Sequence, residues 1–127
     1  HVKEMHKKRI NFGSHTINHV NLPYESEEQA LEELLLSKKK IENEIGEEVV
    51  HFAYPNGDYN EANLGLVKKA GYKTAVLMRT GFNYRKTDLF KLNRIGINSN
   101  DKINDFVTKI KGWGLRSIVN NFQSKIN

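Results

Sequence analysis

The strongest constraint on the fold of this chain is an alternation of short apolar runs with amphipathic helical patterns. Apolar runs occupy residues 10–12, 49–54 and 72–78, and helical patterns cover 26–45 and 60–70 between them. The second run is β-branched and aromatic and stops at a Pro-Asn-Gly sequence, which predicts a buried strand that enters a turn. Alternating strands and helices favour parallel strands with helices packed outside, so the predicted fold class is α/β, layered or barrel-shaped.

Capping residues mark the boundaries of the predicted helices. Ser26, with Gln29 three positions later, forms a capping box that starts the first long helix, and Gly46 ends it. Asn60 is the predicted cap of the next helix, which ends at Gly71. The apolar stripe predicted for the first helix consists of Leu31, Leu34, Leu35, Lys38, Ile41 and Ile45.

The last third of the chain carries weaker patterns. Residues 89–97 are predicted to form an interrupted strand, and 103–110 an amphipathic helix that closes the fold. The tail at 112–127 is predicted to add one more packed helix, with Trp113 as its hydrophobic anchor rather than a sugar-stacking residue. All of these elements are predicted to belong to one domain over 1–127.

The composition excludes several classes of site. The chain has no cysteine, which excludes disulfides, a thiolate metal site and a cysteine nucleophile. No apolar run approaches about 18 residues, so no transmembrane segment is predicted. The net charge of +5 would suit an anionic partner, but the lysines share helical patterns with glutamates and are expected to be solvated. Nucleic-acid binding ranks lowest among the hypotheses, because the aromatic residues fall in core patterns rather than between lysines. No feature of the sequence specifies an oligomeric state.

A pair of histidines follows the first apolar run. His15 and His19 are four residues apart, and on a helical turn this spacing would place both imidazoles on one face, able to bind one metal. Neutral imidazole suits zinc, cobalt or nickel better than magnesium or calcium. The alternative interpretation is two unrelated surface or capping histidines. Their position after a strand favours a metal site, because ligands of parallel α/β folds gather at the carboxyl ends of strands. His51 begins its predicted strand, at the opposite end, and is assigned to packing or to the surface.

The second unusual stretch is the turn after the second apolar run, at Tyr54, Pro55, Asn56 and Gly57. Its structural interpretation is a strand terminator. Its functional interpretation is a rigid turn that presents a backbone N–H to an oxyanion and aromatic faces to a sugar ring.

In this order, the two stretches resemble the second and third motifs of the NodB-type polysaccharide deacetylases, carbohydrate esterase family 4. Gly13-Ser14-His15-Thr16, followed by His19, resembles the family's metal-binding motif. Residues 53–57 resemble its groove-wall motif, and 70–75 resemble the helix-to-strand segment that follows. The resemblance is closest to the branch of poly-N-acetylglucosamine deacetylases, and it identifies 1–127 as a partial deacetylase domain.

The resemblance implies a distorted (β/α) barrel, incomplete at its N-terminus in this chain. It also implies hydrolysis of N-acetyl groups on a β-linked N-acetylglucosamine polymer, such as peptidoglycan, a chitin-like polymer or poly-N-acetylglucosamine. His15 and His19 would hold a divalent metal, zinc foremost, together with an aspartate, and the metal would polarise the acetamide carbonyl and activate water. The backbone N–H of Asn56 would stabilise the oxyanion, and Tyr54 and Pro55 would contact the polysaccharide. An extracellular or cell-surface location is expected for such an enzyme.

This sequence departs from the family pattern at three places. It contains no Asp-Asp pair, so the carboxylate ligand and the general base are missing, and no histidine follows His51 where the family has a general acid. Ala53 replaces the family's arginine, for which Arg94 is the candidate substitute; its alternative interpretation is a surface salt bridge. We therefore expect this chain to be inactive alone. The competing hypothesis is a degenerate, non-catalytic carbohydrate-binding domain.

Overall fold

The computed structural model of the protein describes residues 1–112, and the predicted tail helix with Trp113 lies outside them. The elements, in chain order, are α1 (Val2–Lys7), α2 (Glu27–Ile45), β1 (His51–Ala53), α3 (Glu61–Lys69), β2 (Thr74–Thr80), β3 (Leu92–Arg94) and α4 (Ile103–Lys111). Short 3-10 turns at Leu22–Tyr24 and Pro55–Gly57 lie between them. Within the described part, no helix is both long and apolar enough to span a membrane.

The three strands form a parallel sheet in the order β1-β2-β3, which confirms the predicted α/β class. His51 of β1 is in register with Thr74 of β2, and Thr80 of β2 with Arg94 of β3. Because all strands run the same way, their carboxyl ends share one edge of the sheet. That edge carries the segments that follow β1 and β3.

Three predicted strands are shorter in the structure or absent, and the run at 49–54 forms a strand only over His51–Ala53. Residues 10–12 form no strand; only Ser14 pairs, through a parallel bridge to Phe52. The Ser14 N–H donates to the His51 carbonyl and the Ser14 carbonyl accepts from the Ala53 N–H, both at 2.8 Å. The strand predicted at 89–97 is limited to β3, because its register against β2 slips between Val76 and Thr80.

The core lies between one face of the sheet and helices α2 and α3. It consists of Leu22, Ala30, Leu34, Val49, Phe52, Tyr54, Leu66, Val67, Ala70, Tyr72, Ala75 and Leu77. The stripe predicted for α2 is wrong at one position. Leu35 is 45% exposed, whereas Ser37 is 4% exposed, because the Ser37 hydroxyl has a hydrogen-bond partner in Ser14 below the helix.

Helix α4 forms where it is predicted, but it buries none of its residues. Its apolar side chains Ile103, Phe106, Val107 and Ile110 all remain exposed. The prediction that this helix closes the fold is therefore wrong for the described residues, because α4 contributes no side chain to the core.

The capping box of α2 is formed as predicted, and it leads to a test of helix stability. Ser26 Oγ accepts from the Gln29 N–H at 3.2 Å, and the Gln29 side chain accepts from the Ser26 N–H. We expect Ser26→Ala to lower the free energy of unfolding by about 1 kcal/mol, because the Gln29 N–H in the first turn of the helix loses its acceptor, the Ser26 hydroxyl. Urea titration measures this, with exposed Lys39→Ala as the control, for which we expect a change within about 0.5 kcal/mol. Equal effects of the two substitutions would show that the cap adds nothing.

Candidate active site

The histidine pair lies on a loop, not on the helical turn that the spacing suggests. Thr16 and His19 both adopt the left-handed conformation, with φ of 62° and 56°, and the segment 15–19 has no helical residue. The loop nonetheless brings the two imidazoles together. The ring centroids of His15 and His19 are 4.8 Å apart, and the planes meet edge to face at 73°. The predicted pairing of these histidines is present, produced by two unusual backbone conformations.

The ring of His15 is oriented by the end of β1. Its Nδ1 lies 2.7 Å from the carbonyl oxygen of Ala53. Because a carbonyl only accepts, Nδ1 carries the proton, and the Nε2 lone pair is left free. Histidines that ligate metals usually donate their other ring N–H to such a carbonyl or carboxylate. The ring nitrogens of His19 make no hydrogen bond to any residue within 1–112, so this ring also has a free lone pair.

Helix α2 holds the loop on both sides of His15. Before it, the hydroxyl of Ser14 is hydrogen-bonded to the hydroxyl of Ser37. After it, the Glu33 carboxylate accepts from the backbone N–H groups of Ile17 and Asn18, each at 2.9 Å, and from the Asn18 side-chain amide at 2.6 Å. The patterns in the sequence do not predict these two anchoring residues of α2.

The turn after β1 offers a free backbone donor. Asn56 has φ 56° and ψ 0°, and it is exposed. The Gly57 N–H donates to the Tyr54 carbonyl at 3.0 Å, whereas the Asn56 N–H donates to no group within the described residues. Gly57 has φ 75°, and its Cα faces the backbone of Met78 with no room for a Cβ. The turn is therefore fixed against β2, with one amide left unsatisfied at its exposed corner.

Two contacts place the turn beside the histidine loop. The first is the bond from His15 to Ala53, three residues before Asn56. The second joins the Asn21 side-chain amide to the Asp58 carboxylate at 3.2 Å. The two motifs that are far apart in sequence thus meet at the carboxyl end of β1, as predicted for ligands in a parallel α/β fold.

Tyr54 and Pro55 are buried beneath this turn. The Tyr54 ring is 1% exposed and packs against Phe52 and Tyr59, with centroids 5.2 and 5.5 Å away. Burial raises the pKa of the Tyr54 hydroxyl, which has no hydrogen-bond partner in the described part of the chain. These contacts let Tyr54 support the turn from below; direct contact of either residue with a sugar stays a prediction.

Arg94 ends β3 at the same edge of the sheet. Its Nε donates to the Leu77 carbonyl at 3.0 Å, and it forms no ion pair with the residues in 1–112, so the surface salt bridge considered as its alternative role is not found there. Its role as a substitute cation stays a prediction. His51 is exposed at the opposite end of β1, where its Nδ1 lies 2.8 Å from the Thr74 hydroxyl, in agreement with its assignment to the surface.

The described residues contain no group of three histidine, cysteine, aspartate or glutamate side chains placed to hold a metal. Residues 1–112 thus bring together two imidazoles, those of His15 and His19, and no third side chain of these types beside them. The sequence profile of the polysaccharide deacetylase family matches residues 1–75, more than half of the chain.

This chain belongs to the polysaccharide deacetylase family. It is 32% identical over 96 residues to the putative polysaccharide deacetylase YxkH of Bacillus subtilis, a match that covers 76% of this chain and 34% of YxkH. It is 33% identical over 75 residues to a peptidoglycan-N-acetylglucosamine deacetylase of Bacillus cereus, covering 59% of this chain and 35% of that relative. The chain spans about a third of the length of these curated relatives.

A solved deacetylase structure shares the fold. The deacetylase PplD of Streptococcus pyogenes, solved in complex with acetate, matches with a TM-score of 0.80 and 29% identity, over 84% of this chain and 47% of PplD. The resemblance to NodB-type deacetylases and the expected fold class are thereby confirmed. The parallel sheet and helices α2 and α3 form part of a polysaccharide deacetylase barrel.

Proposed function

We propose that this chain provides the metal-binding histidine pair and the oxyanion donor of a polysaccharide N-deacetylase. The observation that carries the proposal is the ring of His15, which is fixed by Ala53 so that Nε2 stays free beside the ring of His19. Two neutral imidazoles at a strand end fit zinc, cobalt or nickel, zinc foremost. The proposed substrate is a β-linked N-acetylglucosamine polymer, a class to which the name of the Bacillus cereus relative points.

The residues of this chain would have distinct tasks in such a reaction. His15 and His19 would hold a divalent metal, and bound there it would act as a Lewis acid toward an acetamide carbonyl and lower the pKa of a water molecule. The N–H of Asn56 would donate to the oxygen of that carbonyl as negative charge develops on it. Loss of one such donor costs roughly 10²- to 10³-fold in turnover in other acyl-transfer enzymes.

The proton transfers require groups that this chain does not contain. None of its four aspartates is adjacent to another, and no histidine follows His51. We propose that the general base, the third metal ligand and the general acid come from polypeptide outside these 127 residues, and that Arg94 contributes positive charge at the same sheet edge. We also propose that the complete enzyme acts at or beyond the cell surface, where such polymers are found.

Acetate release from acetylated chito-oligomers tests this function. We expect none from the 127-residue chain, and zinc-dependent release from a longer polypeptide that joins it to a segment with paired aspartates. His15→Ala in the longer polypeptide should remove the activity, while His51→Ala should preserve it. If the longer polypeptide binds the oligomers but releases no acetate, the domain is a non-catalytic carbohydrate-binding one and the proposal is wrong.

A further inference from the structure

The loop that carries the histidine pair is strained at two backbone positions. Thr16 and His19 both adopt positive φ, a conformation that costs free energy in a residue with a Cβ, and most of all in β-branched threonine. Residues held in this way persist only when surrounding contacts determine them. The segment between the two strained positions consists of Ile17 and Asn18. Whatever binds these two residues therefore fixes the direction in which His19 leaves the loop.

The side chain that binds them is Glu33. One of its carboxylate oxygens accepts from both backbone N–H groups, of Ile17 and of Asn18, and the other accepts from the Asn18 side-chain amide. Hydrogen bonds to an ionised acceptor are about twice as strong as those between neutral groups. Glu33 is half-buried, so these bonds are partly shielded from water. Three bonds from one carboxylate thus converge on the two residues between the strained positions.

The scaffold that presents Glu33 is rigid. Ser37 lies one helical turn later on α2, is buried, and holds Ser14 immediately before His15. Between them, Leu34 is fully buried in the core. Helix α2 is therefore hydrogen-bonded to the loop at two points, one before His15 and one between His15 and His19.

We propose that Glu33 is a positioning residue for the histidine pair, acting through the amides of Ile17 and Asn18 to hold His19 beside His15. The inference rests on the proposed function, in which this pair binds a divalent metal. Supporting partners of metal ligands typically contribute about 10- to 100-fold to metal affinity. The hydrogen bonds of Glu33 go to Ile17 and Asn18 and not to either imidazole, so in this role it acts through the loop.

Titration calorimetry with zinc, on the 127-residue chain and on its Glu33→Ala variant, tests this role. We expect Glu33→Ala to weaken zinc binding about 10- to 100-fold. The matched control is Glu32→Ala, which removes the same charge from the next position of α2, where the side chain is exposed and makes no hydrogen bond or ion pair within 1–112. An unchanged affinity in Glu33→Ala, or an equal loss in Glu32→Ala, would overturn the proposal.

The substitution Glu33→Gln distinguishes the effect of the hydrogen bonds that position the loop from the effect of the negative charge of Glu33. The glutamine oxygen can accept from the two backbone amides, and the Asn18 amide can turn over to accept from the glutamine NH₂. We therefore expect Glu33→Gln to recover much of the affinity that Glu33→Ala loses. Equal losses in both variants would mean that the negative charge acts directly on the metal, and positioning would be wrong.

A measurement without metal keeps this inference distinct from the proposed function. Amide hydrogen exchange, followed by NMR, should show loss of protection at Ile17 and Asn18 in Glu33→Ala but not in Glu32→Ala, with α2 still protected. Unchanged protection would overturn the positioning role even if zinc binds. If protection is lost as expected but His15→Ala binds zinc as well as the unmodified chain, Glu33 still orders the loop, while the metal site and the part of the inference that depends on it are wrong.

Discussion

Replacement of His15 or His19 by alanine is expected to abolish specific zinc binding by this chain. Each substitution removes one of the two imidazoles whose centroids lie 4.8 Å apart. Loss of a ligand itself should exceed the roughly 10- to 100-fold loss of affinity caused by removing a supporting partner. Titration calorimetry with zinc, at neutral pH and in a buffer that does not bind the metal, measures the effect. The double substitution should add little to either single one, because one imidazole alone does not make a site.

His51→Ala is the matched control for these substitutions. His51 is also exposed and also near β1, but it lies at the amino end of the strand and is hydrogen-bonded to Thr74. We expect its removal to leave zinc affinity unchanged. If His51→Ala weakens binding as much as His15→Ala does, zinc binds to dispersed surface histidines, and the pairing seen at the carboxyl end of β1 has no functional meaning.

Gly57→Ala is expected to destabilise the chain by about 2–5 kcal/mol, a large change for a protein of this size. A Cβ at Gly57 would lie 2.6 Å from the backbone nitrogen of Met78 and 2.7 Å from its Cβ. Both atoms belong to strand β2, so relief of the clash requires the turn to move away from the sheet. The φ of 75° adds the cost of a left-handed conformation to that of the clash. Thermal or urea unfolding followed by circular dichroism measures the loss.

The substitution Gly46→Ala separates the cost of the left-handed conformation from the cost of the clash. Gly46, at the end of α2, has the same φ of 75° but has no atom within 4 Å of the position of an added Cβ. We expect this substitution to cost only about 1–2 kcal/mol, the penalty for the left-handed conformation. The excess in Gly57→Ala then reports the close contact with Met78. Equal losses would show that the turn is not packed on β2, and the fixed position of the Asn56 amide would lose its support.

Features set by local chemistry were predicted well from the sequence. Ser26 and Gln29 form the expected capping box, and Gly46 adopts the left-handed conformation that ends α2. Strand β1 ends at Ala53, just before the turn at Pro55, where proline removes an N–H donor and fixes φ. These signals depend only on a few neighbouring residues, so they predict the local structure whatever the distant parts of the chain do.

Features that depend on distant partners were missed. Glu33 belongs to a run of acidic residues on α2 in which Glu32 is solvated, and nothing local separates the two. The one signal was Ser37, a polar residue one turn from Glu33 on the face that carries Leu34, where a buried hydroxyl needs a partner. The loop conformation at Thr16 was equally hidden, because left-handed threonine is rare and spacing alone suggested a helix.

Anomalous X-ray scattering at the zinc edge, from crystals of the full chain grown with zinc, tests most directly whether this chain carries a deacetylase metal site. The account predicts a peak about 2.0–2.1 Å from Nε2 of His15 and from one ring nitrogen of His19, the usual zinc–imidazole distance. The Nδ1 of His15 should still contact the Ala53 carbonyl. Zinc peaks at other histidines, with none between these two rings, would contradict the central claim.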